Sequence, residues 1–260
     1  MFRSVCTAVL VGLVAAPAFA DVTITSQVSG KGMGKAAESQ SITYIQGLKM
    51  RTDSTLGDTP TTTIIDLDAQ KFISLNHKKK EAQVYNMADF RQTMDKAVNT
   101  SAAKASLTPN GQKRDIAGKS CDGYDLNVSI PWTLGGDSQM TMVMTGPVFI
   151  ARNAPGAADY KKFYLAAAER GFIANDPRVA KGAPQQAKGM TEMYKAMADA
   201  GVAYSMEMSM KVEGGGPMAS MMNKVMGGSA FTNTVTALAT DPIAADKFQV
   251  PAGYNVKDAK

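Results

Sequence analysis

Hydrophobic and polar residues alternate along residues 41–87, and this period of two predicts a series of β-strands with one buried face. The clearest alternation sets Leu48, Met50 and Thr52 against Lys49, Arg51 and Asp53. Turn-forming residues at 57–60, 66–68 and 76–80 separate the strands. Because connections this short join antiparallel neighbours, the segment predicts an antiparallel meander.

Further elements are predicted between residues 89 and 145. A helix is expected from Asp89, which makes a capping-box-like pair with Gln92. Pro109-Asn110-Gly111 then predicts a turn, and Gly135-Gly136-Asp137 predicts a hairpin between two strands. One face of the first strand carries Tyr124, Leu126, Val128 and Ile130, and one face of the second carries Met140, Met142 and Met144.

Helical spacing replaces the alternation between residues 153 and 201, which predicts a helical insert. One helix is expected to begin at Asp159 and a second at Pro184, with Gly201 ending the second. The predicted buried faces carry Tyr160, Phe163, Tyr164 and Ala167 in the first helix, and Met190, Met193, Tyr194 and Met197 in the second.

The last third of the chain returns to strands. Residues 202–212 alternate as a strand, residues 217–226 have helical spacing, and residues 231–239 form a final strand. The order of elements predicts an α+β fold in which helices cover one face of an antiparallel sheet.

Residues 1–20 have the features of a cleavable secretory signal peptide. Arg3 supplies the positive charge, residues 9–16 form the apolar run, and Ala18-Phe19-Ala20 fits a cleavage site after Ala20. The apolar run is too short to cross a bilayer core about 30 Å thick, and the sequence predicts no transmembrane segment. We therefore expect a periplasmic protein whose mature chain forms one domain over residues 21–260.

The sequence contains no recognisable catalytic motif, and we expect no enzyme, no cofactor and no metal ion. His77 is the only histidine, and Cys121 is the only cysteine beyond the predicted leader. The spacing of Gly30, Gly32 and Gly34 imitates a dinucleotide-binding fingerprint, but a strand follows where that fingerprint requires a helix, so we interpret it as a hairpin. A net charge of +5 without a clustered basic face argues against nucleic acid as a partner.

Methionine is the unusual feature of the composition, with 18 residues in 260. Many lie at strand or helix spacing, so that each group shares one face. Three interpretations remain open: a closed methionine-rich core in a structural or interaction protein, a pliable apolar cavity for lipid chains, or Cu(I) binding through the Met-x-x-Met pairs at 190–193 and 218–221. The candidate cavity residues are Met140, Met142, Met144, Met193, Met197, Tyr204, Met206, Met208, Met210, Met221 and Met222.

Three short stretches carry a resemblance to a known group of proteins. GLKMRTD at 47–53, IAGKSCDGY at 116–124 and FQVPAGYNV at 248–256 resemble a family of exported bacterial proteins that is similar to the LolA/LolB-like lipoprotein carriers. The resemblance implies a curved antiparallel half-barrel sheet with helices covering its concave face and a hydrophobic cavity between them. It also implies binding of lipid or lipoprotein acyl chains, and inner- or outer-membrane proteins as partners.

Overall fold

The computed structural model describes residues 21–32, 35–56, 59–88, 103–133, 139–170, 184–215, 217–226 and 228–259. Twelve strands and three α-helices lie in these ranges. The strands are β1 (Val22–Gly32), β2 (Lys35–Gln46), β3 (Lys49–Leu56), β4 (Thr59–Asp66), β5 (Lys71–Asn76), β6 (Glu81–Asn86), β7 (Lys104–Ile116), β8 (Lys119–Thr133), β9 (Gln139–Ala151), β10 (Val202–Gly214), β11 (Ala230–Ala239) and β12 (Asn255–Asp258). The helices are α1 (Ala157–Glu169), α2 (Pro184–Ala200) and α3 (Pro217–Met226), and a 3₁₀ turn spans Ala245–Phe248.

All twelve strands belong to one sheet, in the order β12-β6-β5-β4-β3-β2-β1-β11-β10-β9-β8-β7. β12 pairs with β6 in parallel, whereas the other neighbouring pairs are antiparallel. The predicted fold, an α+β antiparallel half-barrel with its concave face covered by helices, is therefore wrong: the sheet is mixed and open, and strands dominate the described chain. The physical reason is the long connection after β11, which lets β12 approach the far edge of the sheet in the same direction as β6.

The sequence predictions succeed where one strand face is apolar and fail at a sheet edge. β10 and the starts of α2 at Pro184 and α3 at Pro217 are confirmed. The turn predicted at 109–111 is wrong, because these residues lie inside β7, where the register against β8 shifts between Pro109 and Lys113. β7 is one of the two edge strands and is largely exposed, so it lacks the alternation that reveals a half-buried strand.

Helix α1 begins earlier than predicted. Its first residue is Ala157 and Gly156 is the N-cap with φ of 70°, so Asp159 lies inside the first turn and is buried. The helix buries Tyr160, Phe163 and Ala167 as predicted. The predicted signal peptide at 1–20, the helix from Asp89 and the hairpin at 135–137 lie outside the described residues.

The main core lies between α1 and one face of the sheet. A row of apolar side chains crosses five neighbouring strands in register: Val22, Ile45, Met50, Ile65 and Phe72. All five are at most 3 % exposed. Burying each of these side chains contributes about 1.5–3 kcal/mol to folding.

The chain after β11 covers the opposite face of the same strands. Phe248 packs with Ile64, Leu75 and Ala82, all of them buried. This explains why the consecutive residues Ile64 and Ile65 are both buried although they point to opposite faces of β4. Within the described ranges, no helix combines the length and hydrophobicity needed to cross a membrane.

Candidate ligand-binding cavity

Six of the predicted methionines meet where β8, β9 and β10 pack under α2. Register aligns Ile130 with Met142 and Val212, and Val128 with Met144 and Met210. The six methionines are Met142, Met144, Met193, Met197, Met206 and Met208, and none is more than 8 % exposed. They form one cluster with apolar neighbours from β8, so most of this stripe is packed protein interior. We call it the methionine cluster.

The other predicted site residues lie at the border of this cluster or outside it. Met210 is partly buried against the methionine cluster, whereas Met140 packs with Met222 in a separate small cluster under α3. Tyr204 belongs to the main core. Met221 was predicted to line an apolar cavity, but its side chain is 53 % exposed. α3 is short and covers the sheet with Ala219 and Met222, which leaves Met221 on its outer side.

The two Met-x-x-Met pairs are also separated. Met190 and Met193 lie at the methionine cluster, where apolar side chains surround them, and Met221 is exposed on α3. Nothing in the described residues brings the two pairs together.

Truncating a residue of the methionine cluster should reduce the stability of the fold and leave ligand binding unchanged. Met193 is 2 % exposed and belongs to the packed cluster, so we expect Met193→Ala to lower the free energy of unfolding by about 2–5 kcal/mol. Urea denaturation measures the loss. Met193→Leu keeps the volume and should lose less than about 1.5 kcal/mol. Equal losses in the two variants would show that the site is not tightly packed.

A cavity of about 360 Å³ lies beside the methionine cluster, between the sheet and the two long helices. Small-molecule sites span about 300–1,000 Å³, so its volume lies in the range of such sites. Of the candidate residues, Met197 and Met206 line it. The other lining residues are Ile24, Ser26, Ser41, Thr43, Met50, Thr52, Ser54, Thr63, Tyr160, Tyr164, Tyr194, Ala203, Phe231, Asn233 and Val235.

The sheet side of the cavity is a floor of hydroxyl groups. Two rows cross neighbouring strands in register: Ser26, Ser41 and Ser54 in one, and Thr43, Thr52 and Thr63 in the other. Side chains two residues apart share a strand face, so both rows continue the face that carries the apolar row of the main core. We call these six residues the hydroxyl floor.

Sequence reasoning missed the hydroxyl floor, although its signal was present. Thr52 lies on the predicted face of Leu48 and Met50, and Ser41, Thr43 and Ser54 lie at alternate positions to Ile45 and Met50, which puts them on the inward face as well. Such polar residues on an inward face were read as strand-forming residues only, whereas a polar stretch on an otherwise buried face is a sign of a lined cavity.

Tyrosines form the helix side of the cavity. The rings of Tyr164 and Tyr194 are stacked with centroids 5.4 Å apart, and Tyr160 lies 4.5 Å from Tyr164. Burial raises the pKa of all three phenols, most strongly that of Tyr164, where the neighbouring phenols Tyr160 and Tyr194 add to the effect. The three side chains therefore stay neutral at physiological pH.

A larger groove of about 710 Å³ opens on the surface beside the α1 N-terminus and the α2 C-terminus. Its charged side chains are engaged in ion pairs: Lys161 Nζ lies 3.1 Å from Asp199, and Arg152 Nε lies 3.5 Å from Asp122. The smaller cavity is more enclosed, and this enclosure favours it as the ligand site.

The only histidine belongs to a hydrogen-bonded chain on the other face of the sheet. Thr62 Oγ1 donates to Asp53 Oδ1 at 2.6 Å, so His77 Nε2–H, 2.8 Å away, donates to Thr62. His77 Nδ1 then accepts from the Tyr254 hydroxyl at 2.6 Å. Arg51 Nε also donates to Asp53 Oδ1, and Arg51 Nη1 donates to the carbonyl of Lys247. This chain ties the C-terminal segment to the sheet.

Removing the central hydroxyl of this chain should weaken the fold. Thr62 is 2 % exposed and bridges His77 and Asp53, so Thr62→Val removes the acceptor of His77 Nε2–H and one of the two donors to Asp53 Oδ1. We expect a loss of about 1–3 kcal/mol in the free energy of unfolding, measured by thermal denaturation. Thr63→Val is the matched control on the cavity side of β4, and an equal loss there would contradict the bridging role.

Cys121 and His77 do not form a catalytic pair. Nε2 of His77 contacts Thr62, and Nδ1 contacts Tyr254. Cys121 is buried in the main core, where its thiol lies 3.4 Å from the carbonyl of Lys119. Burial raises the pKa of the Cys121 thiol, and nearby Asp115 and Asp122 raise it further, which disfavours the nucleophilic thiolate.

Comparisons with known proteins assign no family. No family model matches the chain, and no curated protein matches it. Among solved structures, it is similar to an uncharacterised conserved protein from Thermus thermophilus, with TM-score 0.42 and 8 % identity over 93 % of this chain and 92 % of that one. It is also similar to a proposed outer membrane lipoprotein-sorting protein domain from Vibrio parahaemolyticus, with TM-score 0.33 and 7 % identity over 90 % and 91 %. At these values the function must be argued from the cavity itself.

Proposed function

We propose that this chain is a non-enzymatic periplasmic carrier that binds an acyl chain of a lipid or lipoprotein in the cavity between the sheet and α1 and α2. The observation that supports the proposal is the cavity of about 360 Å³ and its lining. Its apolar part is formed by side chains from both the sheet and the helices, including Met50, Met197 and Met206.

Methionine at these positions suits a carrier. Its side chain has three rotatable bonds and a polarisable sulfur, so it repacks around guests of different shape. Met197 lies on α2 and Met206 lies on β10. The shape of the cavity can therefore adapt on its helix side and on its sheet side.

The energetics support reversible binding. Each methylene that leaves water gains about 0.8 kcal/mol, so a stretch of about ten gains about 8 kcal/mol. Association costs about 4–15 kcal/mol in lost freedom and ordering. At the lower end of this cost the balance is a modest affinity, which allows a carrier to release its cargo to a membrane partner.

A structural or interaction protein with a closed methionine-rich core is the second candidate. The packing of Met142, Met144 and Met208 away from the cavity favours it. The two candidates differ in one respect, since only the carrier binds an acyl chain.

Native mass spectrometry of protein purified from the periplasm tests the proposal. We expect co-purified lipid, and saturable binding of an environment-sensitive fatty-acid probe that unlabelled lipid displaces. A protein that carries no lipid and binds no probe would remove the carrier hypothesis and leave the closed core.

The same preparation tests export. The charge, apolar run and cleavage motif of residues 1–20 lead us to expect an intact mass that begins at Asp21. A mass that retains residues 1–20, or that includes a diacylglycerol adduct, would contradict a soluble periplasmic protein.

A further inference from the structure

Most hydroxyl groups of the hydroxyl floor have no hydrogen-bond partner within the described chain. Thr43 and Thr52 pair with each other at 3.3 Å. The side-chain hydroxyls of the remaining four, Ser26, Ser41, Ser54 and Thr63, bond to no described group, and Ser26 is only 7 % exposed. These hydroxyls face the cavity, and the buried side-chain oxygen of Asn233, which lines the same cavity, also has no hydrogen-bond partner among the described residues. Polar groups in such sites are normally satisfied, and leaving them unpaired costs free energy. The hydroxyl floor is therefore arranged to bond to a guest.

We propose that the hydroxyl floor binds the uncharged polar end of the acylated ligand, a glycerol ester such as a monoacylglycerol, while the methionine-lined part takes its chain. This inference rests on the proposed carrier function. It adds the chemical class of the cargo, which the apolar lining alone does not define.

The charge of the cavity selects an uncharged group. None of the described lining residues carries a formal charge, and the three tyrosines stay neutral. An ionised carboxylate or phosphate would lose its hydration without meeting a cation, which is costly in an enclosed site. An ester or hydroxyl loses much less.

The hydrogen-bonding capacity of the floor fits a glycerol ester. Each serine or threonine hydroxyl donates one hydrogen bond and accepts others. An ester carbonyl accepts from such groups, and the free glycerol hydroxyls both donate and accept. Neighbouring members of each row lie on adjacent strands about 4.8 Å apart, a spacing that lets one glycerol unit reach hydroxyls on two strands.

Binding of three ligands to the full-length mature protein tests the inference. A monoacylglycerol, the fatty acid of the same chain length and an apolar probe without hydrogen-bonding groups compete for the site at pH 8. We expect the monoacylglycerol to bind at least about tenfold more tightly than the fatty-acid anion. Tighter binding of the anion, or equal binding of the two, would overturn the inference while leaving the carrier function intact. Absence of binding by all three would refute both.

A double variant tests the residues. Ser26→Ala/Ser41→Ala removes two registered hydroxyls, and we expect it to weaken monoacylglycerol binding about tenfold while binding of the apolar probe is unchanged. Ser29→Ala is the matched control, since Ser29 lies on the same strand but on the other face, and it should bind like the wild type.

Folding of the variants is checked by urea denaturation. Should the serine variant unfold, Thr43→Val/Thr52→Val provides an independent test, because it replaces both members of one hydrogen-bonded pair by side chains of similar shape. Unchanged monoacylglycerol binding in a folded variant with two hydroxyls removed would overturn the role of the floor.

Discussion

Replacing Ala203 by phenylalanine is expected to weaken acyl-chain binding strongly while the protein remains folded. Ala203 lies on β10 and lines the cavity, so a larger side chain there fills space that the ligand needs. Filling a cavity commonly raises stability by about 0.5–2 kcal/mol, so we expect the free energy of unfolding to stay constant or rise. Affinity for the fatty-acid probe should fall at least about tenfold, the effect of losing about 1.4 kcal/mol of binding free energy.

Ala237→Phe is the control for this variant. Ala237 is exposed on β11, so a phenylalanine there adds apolar surface without entering the cavity. Probe titration and urea denaturation of both variants separate loss of the site from loss of the fold. Probe affinity unchanged in a folded Ala203→Phe protein would show that the ligand binds elsewhere, with the surface groove beside Arg152 as the next place to test.

Adding a single methyl group at Gly146 is expected to cause a large loss of stability. Gly146 lies on β9 opposite Leu126 of β8, and a Cβ built on it would lie 1.7 Å from the backbone oxygen of Glu207 on β10. Backbone atoms cannot move aside as a flexible side chain does, so β9 and β10 must separate. Overpacking of a core typically costs about 1–3 kcal/mol, and we expect Gly146→Ala to cost about 3 kcal/mol or more, because it disrupts a central strand pair.

Gly30→Ala is the matched control for Gly146→Ala. Gly30 is also a strand glycine, but a Cβ there would make an ordinary contact of 3.5 Å with the oxygen of Ala230. Alanine at a compatible position stabilises by about 0.4–1 kcal/mol, because the unfolded chain has fewer conformations to lose. Thermal denaturation should therefore shift the two variants in opposite directions, and similar shifts would contradict the close approach at Gly146.

The candidate site was predictable only in part. Helical and strand spacing correctly placed Met193, Met197, Met206 and Met208 on inward faces. The spacing could not separate methionines packed in the core from methionines that line the cavity. The direction of a side chain follows from its own helix or strand, whereas the position of a cavity depends on how distant elements pack together. Whether Met206 faces a cavity depends on where α1 and α2 sit above the sheet.

The position of α2 depends on a contact between distant residues. A Cβ at Gly189 would lie 2.5 Å from the side chain of Ile130, so the absence of a side chain at Gly189 lets α2 approach β8 closely. Glycine in a helix normally signals a weak point, and the sequence offers no way to learn which residue it faces. A packing contact between residues far apart in the chain thus sets one wall of the cavity.

The sequence by itself determined the elements whose buried face can be recognised from their own residues. The meander of 41–87, strand β10, and the helices that begin at Pro184 and Pro217 follow from periodicity and from proline at the first helical turn. Only the tertiary structure decided the rest: the parallel addition of β12, the bulged edge strand β7, burial of both Ile64 and Ile65, and the hydroxyl floor under two helices. The physical reason is that periodicity reports which side of an element avoids water, whereas the segment that covers that side, and the space left beneath it, depend on residues far away in the chain.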